Sequence, residues 1–469
     1  MQQCGRFAAA AAANARFESR RIRLRCNTRD DRITCNGGLA MRDHTRHRFG
    51  LGASLAAIVL AGSSQAALAQ DDPNATVVDT NAAAPQPGEG LTIIYVTPNR
   101  REENIQDVAV SVATLPDDQL ARVFSTGAEV TALAARVPGL FVESSNGRAA
   151  PRFYIRGLGN TDFDLAASQP VSVVMDDVVM ENVTLKSFPL FDVARVEVLR
   201  GPQGTLFGRN TPAGIVKIDT RRPTDEVSAD ASLSVGTYGT VAIDAGIGAP
   251  IVEDVLAMRF SLLAQRRDNF VDNGFTGRED AYGGFTDLAG RAQLLFTPGD
   301  RLSVLAMGQI RSLDGQSTLF RANVLGPGDN ELNDNYDRKT VFYDAGGGND
   351  AQYDLWGARL KIDYEFDGVT LTSITAHDES EGHSRGDIDG GNMVTGPGFI
   401  PFPSDTQDSI DLKQTTQEVR LASNGDGPFA WQVGGFYFDS NFTVLTQGFD
   451  FPPPTLVEHW NESWAVFGQ

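Results

Sequence analysis

The chain holds only three cysteines, Cys4, Cys26 and Cys35, all within its first 35 positions. Once processed beyond them it has no thiol, which excludes a disulfide framework and a thiolate-bound metal. Histidine is nearly as scarce, with His44, His47, His377, His383 and His459 making up all five. GxSxG, HExxH and CxxC are missing, and no nucleophile stands beside an evident base. The expectation is therefore a protein that is not an enzyme, with no cofactor and no resident metal. His377 and His383 have acids between them, but a solvated loop is the plainer reading of AHDESEGHSRGD. The apolar stretch Leu51 to Ala61 is too short for a membrane-spanning helix. Positive charge is also in deficit, at 40 Lys and Arg against 60 Asp and Glu. The first 50 residues carry a net +7, so residues 71–469 carry −27. Such an excess repels polyanions and argues against nucleic acid as a partner.

The N-terminal region divides by composition. Met41 to Gln70 has a basic head, an apolar middle and Ala67-Leu68-Ala69 as a small-x-small cleavage site. This is the pattern of a secretory signal peptide over 41–69. Residues 1–40, rich in Arg and Ala, are expected to be a non-native extension with Met41 as the true start. Residues 70–90 are rich in Pro, Ala and acids, with little to bury, and read as a flexible linker. At the other end, Glu462 to Gln469 reads as a strand in mid-course. The chain is therefore expected to be the N-terminal part of a longer protein.

What the sequence has in abundance is glycine, most densely in RVEVLRGPQGTLFGRNTPAGIVKIDT, Arg195 to Thr220. Two β-type runs, Val193 to Leu199 and Gly214 to Thr220, flank the glycines. A phosphate-binding loop would need GxxxxGK[ST], but Gly208 is followed by Arg209 and Asn210, so that chemistry is absent. The string VEVLRGPQGTLFGRNTPAGIVKI instead resembles the end of the plug domain of TonB-dependent outer-membrane receptors. Glu197, Arg200, Gly201, Pro202, Gly204, Phe207, Gly208, Ala213, Gly214 and Ile218 hold the matching places. Two further motifs stand in the family's order. YIRGLG runs from Tyr154 to Gly159 and includes Arg156 and Gly157, and V-x-V-x-x-D-D-V runs from Val171 to Val178.

The rest of the chain reads consistently with that resemblance. Residues 98–225 alternate short helical patterns, at Asp117 to Arg122 and Thr126 to Arg136, with strands at Phe141 to Glu143, Phe153 to Arg156 and Val171 to Met175. From 226 to 469 the pattern becomes period two. Val227, Ala229, Ala231, Leu233 and Val235 alternate with polar residues, as do Leu256 to Leu262 and Trp356 to Phe366. One face to lipid and one to a polar lumen is the pattern of a transmembrane β-strand. Short turns at Ile251–Asp254, Thr297–Asp300, Phe366–Gly368 and Asn424–Gly427 alternate with long polar stretches at Arg266–Thr286, Ser312–Tyr353, Ser380–Asp411 and Ser440–Asn461. The fold class expected is mainly β: nine strands and the start of a tenth, in an antiparallel barrel of about 22 strands that encloses an N-terminal α/β plug. An open sheet edge in lipid leaves backbone groups unpaired, so such a barrel must close to function.

The resemblance implies the sites. Leu91, Thr92, Ile93, Ile94, Tyr95, Val96 and Thr97 stand where the family places the TonB box, although a plug edge strand is the competing reading. Such a segment offers its backbone edge for strand addition to a partner, here the energy-transducing protein TonB. Arg156 and Arg200 resemble the plug arginines that latch onto barrel glutamates, the alternative being ordinary plug structure. Their partners are expected beyond residue 469, with Glu418 a weak candidate. The function implied is TonB-energised import of a scarce small-molecule ligand, foremost a ferric siderophore or other iron complex, across outer-membrane lipid. The alternative is a passive or ligand-specific channel or receptor for a non-iron substrate such as cobalamin, a glycan or an aromatic compound.

Overall fold

A computed structural model of the chain describes residues 26–29, 32–35, 95–97, 100, 103–124, 128–328, 330–344, 348–394, 396–401, 404–424, 429–449 and 453–469. The expected signal peptide, the linker and Leu91–Ile94 of the expected TonB box lie outside these residues. The chain divides into two compact units, Met1–Thr92 and Ile93–Gln469. In the first, β1 (Cys26–Arg29) and β2 (Arg32–Cys35) form an antiparallel hairpin.

The second unit begins with a small α/β body. β3 (Tyr95–Val96) pairs with β4 (Glu103–Asn104). β5 (Ser111–Pro116) leads into α1 (Asp117–Phe124). A 3-10 turn then covers Val130–Ala135, where the sequence predicts a longer helix over Thr126–Arg136. The turn tightens because Arg136 and Val137 both donate to the Leu133 carbonyl, at 3.1 and 3.2 Å, just before Pro138 halts the chain. β6 (Leu140–Ser144) and β7 (Pro151–Ile155) form a hairpin. β8 (Val171–Met175), β9 (Val178–Met180), β10 (Val193–Arg200), the short α2 (Gly204–Phe207) and β11 (Gly214–Thr220) complete the body. Its sheet runs β5-β10-β11-β8-β9, with β11 and β8 parallel. Val171–Met175 is buried at every position, as a strand covered on both faces must be.

β11 ends at Thr220, and the next strand starts a different sheet. β12 (Ser228–Val235), β13 (Val241–Val252) and β14 (Leu256–Arg267) begin an antiparallel wall. β15 (Val271–Asn273) and β16 (Arg278–Tyr282) leave it and return as β17 (Phe285–Phe296) and β18 (Leu302–Gln316). β19 (Thr340–Val341) pairs with β15 in a separate three-stranded sheet built from the long connections. β20 (Asp350–Glu365), β21 (Val369–Asp387), β22 (Asp405–Ser423), β23 (Gln432–Gly448) and β24 (Thr455–Gly468) finish the wall. It has ten strands in chain order, with β12 and β24 at its edges among the described residues.

Two expectations need correction. Ser380–Asp411 reads as a loop, yet the ladder continues to Asp387 paired with Asp405. The other long stretches also yield strand at both ends. At about 3.3 Å per residue, a strand of 19 residues far exceeds the ~10 needed to cross a bilayer. Polar side chains do not stop a ladder; they mark where its outer face meets water instead of lipid. The second correction concerns the inner face, which is not uniformly polar. Leu263, Leu313, Leu355, Ile374, Leu412 and Val444 of the wall share one buried apolar cluster with Phe153, Val173, Val196 and Val216 of the plug. The outer face follows the period-two reading: Phe260, Leu262, Ile310, Trp356 and Leu360 are exposed, whereas Arg259, Arg311 and Arg359 are buried.

Candidate functional site

The glycine-rich motif is the centre of the plug. β10 and β11 pair with Val196 opposite Ile218 and Glu197 opposite Lys217. The loop between them spends its own N–H groups: Gly201 donates to Ala213, Gln203 to Thr211, Phe207 to Gln203 and Gly208 to Gly204. These bonds close Pro202, Gly204 and Gly208 into a compact turn. Gly214 is required by close approach. A Cβ there would stand 2.2 Å from the Leu199 carbonyl and 2.9 Å from Ile155, at a φ of +142°.

The described end of the expected TonB box is docked on this motif. Tyr95 and Val96 pair with Asn104 and Glu103. The Thr97 amide donates to both oxygens of the buried Glu197 carboxylate, at 3.1 and 3.2 Å, and its hydroxyl donates at 3.1 Å. Three residues later, Arg100 donates to the Leu206 carbonyl at 2.9 Å and lies over the Phe207 ring. It also forms a buried ion pair, 3.1 Å long, with Glu418 on the inner face of β22.

Arg156 and Arg200 are brought together, but not with a wall carboxylate among the described residues. Arg156 has a φ of +53° in the turn after β7, which lays its side chain beside Gly139. It donates to Ser111 Oγ at 3.2 Å. Arg200 donates to the same hydroxyl at 3.4 Å and to the Pro138 carbonyl at 3.0 Å. Glu418 is occupied by Arg100 and by Arg420, the latter at 2.8 Å.

The ion pairs between plug and wall largely have the opposite polarity, with plug acids facing wall bases. β8 and β9 are joined by the two-residue turn Asp176-Asp177, both at positive φ. Asp177 meets Lys361 at 2.8 Å, and Asp176 meets Arg359 at 3.5 Å. Asp192 takes Arg259 through two hydrogen bonds, at 2.6 and 2.5 Å, and a third from the Ser261 hydroxyl. Arg291 stacks over Phe191 and donates to its carbonyl at 3.3 Å. Arg311, paired with Asp287 on the wall, donates to the Ser187 carbonyl at 2.8 Å. Four adjacent strands thus each turn one arginine inward. Arg259 and Arg359 stand in the polar half of the alternation read from the sequence, but the plug partners of all four are remote in sequence. The Asp-Asp pair was visible in its motif without a role attached.

Burial alone would raise the Asp177 carboxyl, but Lys361, Arg100 and Lys217 outweigh it and hold the group well below the usual carboxylate range. Lys186, in the plug beneath Val171, behaves differently. Burial pushes its ammonium down to about 7, only partly opposed by Glu181.

The two loop histidines do not converge. His377 contacts Thr415 at 2.8 Å and Glu379 at 3.1 Å, and its ring packs on Trp356. His383 contacts Asp350 at 2.8 Å. Among the described residues no group of three His, Cys, Asp or Glu is arranged to hold a metal.

This architecture has known relatives. Residues 104–215 match the TonB-dependent Receptor Plug Domain. The pesticin receptor of Yersinia pestis is 27% identical over 223 residues, covering 47% of this chain and 32% of the relative. The catecholate siderophore receptor Fiu of Escherichia coli K12 is 26% identical over 128 residues, covering 26% of this chain and 15% of the relative. The solved ferric yersiniabactin uptake receptor of Yersinia pestis superposes with a TM-score of 0.59 at 18% identity, covering 76% of this chain and 61% of the other. The match spans about a third of the pesticin receptor's length. Residues 104–215 thus carry the plug domain of the TonB-dependent receptors, and the chain shares the fold of the ferric yersiniabactin uptake receptor over 76% of its length.

Proposed function

We propose that the chain acts in the outer membrane as a TonB-energised receptor that imports an iron complex of the ferric-siderophore class. The observation that carries this reading is the seam. The plug is seated on the wall by paired charges, at Asp177–Lys361, Asp192–Arg259 and Arg100–Glu418. Directional pairs of this kind hold a gate firmly yet can be exchanged for water when it moves. A plain pore has no use for such a seat, and a catalytic set is not evident in the sequence. The apolar outer face of the wall suits lipid. The relatives supply the ligand class, since two of them are a catecholate siderophore receptor and a ferric yersiniabactin uptake receptor. Leu91–Thr97 is the proposed point of attachment for TonB, and Arg156 and Arg200 are proposed to steady the plug on its own side of the seam.

The test is growth of a deletion strain under iron limitation with single ferric siderophores, cobalamin or glycans as supplements. A defect confined to one iron complex supports the reading. A defect confined to a non-iron nutrient replaces it with the alternative.

A further inference from the structure

We propose that Glu197 is the catch that withholds Tyr95–Thr97, the described end of the proposed TonB box, from its pulling partner and recaptures it after each pull; this rests on the function proposed above. Glu197 has no accessible surface and lies on β10, inside the plug sheet. A carboxylate there needs donors. Lys217, directly across the ladder, does not serve it; its ammonium goes to Asp219 at 2.5 Å. Arg195 reaches Glu197 at 3.3 Å but is shared with Asp219 at 2.8 Å. The Thr97 amide and hydroxyl therefore supply much of what the buried charge receives.

Two consequences follow from this geometry. Strand addition uses backbone N–H and C=O groups, and the Thr97 N–H is already committed to Glu197. Tyr95 and Val96 are paired with β4, and Val96 has no accessible surface. Docking on Glu197 and pairing with a partner strand thus compete for the same amide. In addition, removing Thr97 leaves the buried Glu197 carboxylate with only the shared Arg195, an arrangement that penalises the open state and draws the segment back. Glu197 is a positioning residue: it sets the balance between the docked and available segment without touching the transported ligand.

The test uses the full chain in detergent, comparing wild type with Glu197→Gln, which keeps shape but removes the charge and turns an amide donor towards Thr97. Hydrogen exchange is followed in the peptide containing Tyr95–Thr97, and binding of the periplasmic C-terminal domain of TonB is measured separately. The expected result is exchange at least tenfold faster and TonB binding several-fold tighter. Thr97→Val should give a smaller change in the same direction, and Thr97→Ser should restore wild-type exchange, which a general loosening of the plug would not do. If Glu197→Gln misfolds, the threonine pair decides alone. Unchanged exchange in the folded variants overturns the catch. Faster exchange with no gain in TonB binding also overturns the proposal, and it locates the failure in the TonB-box reading, because exchange is measured without any partner.

Discussion

Asp177 of the plug and Lys361 of the wall are joined at 2.8 Å, and their neighbours Asp176 and Arg359 at 3.5 Å. The relationship is one of matched periods. A two-residue turn holds both carboxylates at one hairpin tip, and a strand places residues two apart on the same face. The tip therefore fits one position on β20 and no position a single residue away.

Acid should open this contact. The Asp177 carboxyl is depressed in the folded chain, so its stabilisation is present above the ordinary carboxylate value of about 3.9 and is lost as pH falls below it. Melting of the plug followed from pH 6 to pH 3 should show a decline that Asp177→Asn flattens. An identical decline in the variant would remove Asp177 from the account.

The seam arginines should matter more than the motif arginines. Arg259 and Asp192 are each 3% exposed, so Asp192→Ala leaves a buried guanidinium with only the exposed Asp230 at 3.6 Å and Ser228, and should cost the plug about 3 kcal/mol. Arg156→Ala and Arg200→Ala remove hydrogen bonds to Ser111 and Pro138 at an exposed edge and should cost about 1 kcal/mol each. Calorimetry of the three variants decides the order. The reverse order would restore the motif arginines as the principal latch.

Lys186 should make the plug more stable in mild alkali. Its folded value is about 7, while an exposed lysine titrates near ~10.4. Between those values the unfolded chain holds the additional proton, so stability rises with pH across that window. Lys186→Met, similar in length and uncharged, should raise the melting temperature at pH 7 and abolish the slope. A slope unchanged by the substitution would show that another group titrates.

Much of this fold was written in local pattern. Leu360 and Trp356 alternating with Arg359 and Lys361 announce a two-faced strand, and Gly201 to Gly214 announce a compact turn, because these signals act over a few residues. The pattern over Thr126–Arg136 predicts a helix, but Val130–Ala135 tightens into a 3-10 turn because Leu133 gathers two donors before Pro138. Loop limits are not legible because polarity reports what faces the wall and not whether the ladder continues. The seam was the least legible part. Arg100 lies between β3 and β4 and Glu418 on β22, far apart in sequence, and only the packing of plug on wall makes them neighbours.

The central claim is that force on Leu91–Thr97 drives import through a plug seated on charge pairs. Uptake of radio-iron as a ferric siderophore, in cells whose only copy of the receptor lacks Leu91–Thr97, tests it most directly. The account predicts surface binding at the wild-type level with accumulation reduced to that of a strain lacking TonB. Accumulation at the wild-type rate in the deletion strain would contradict it.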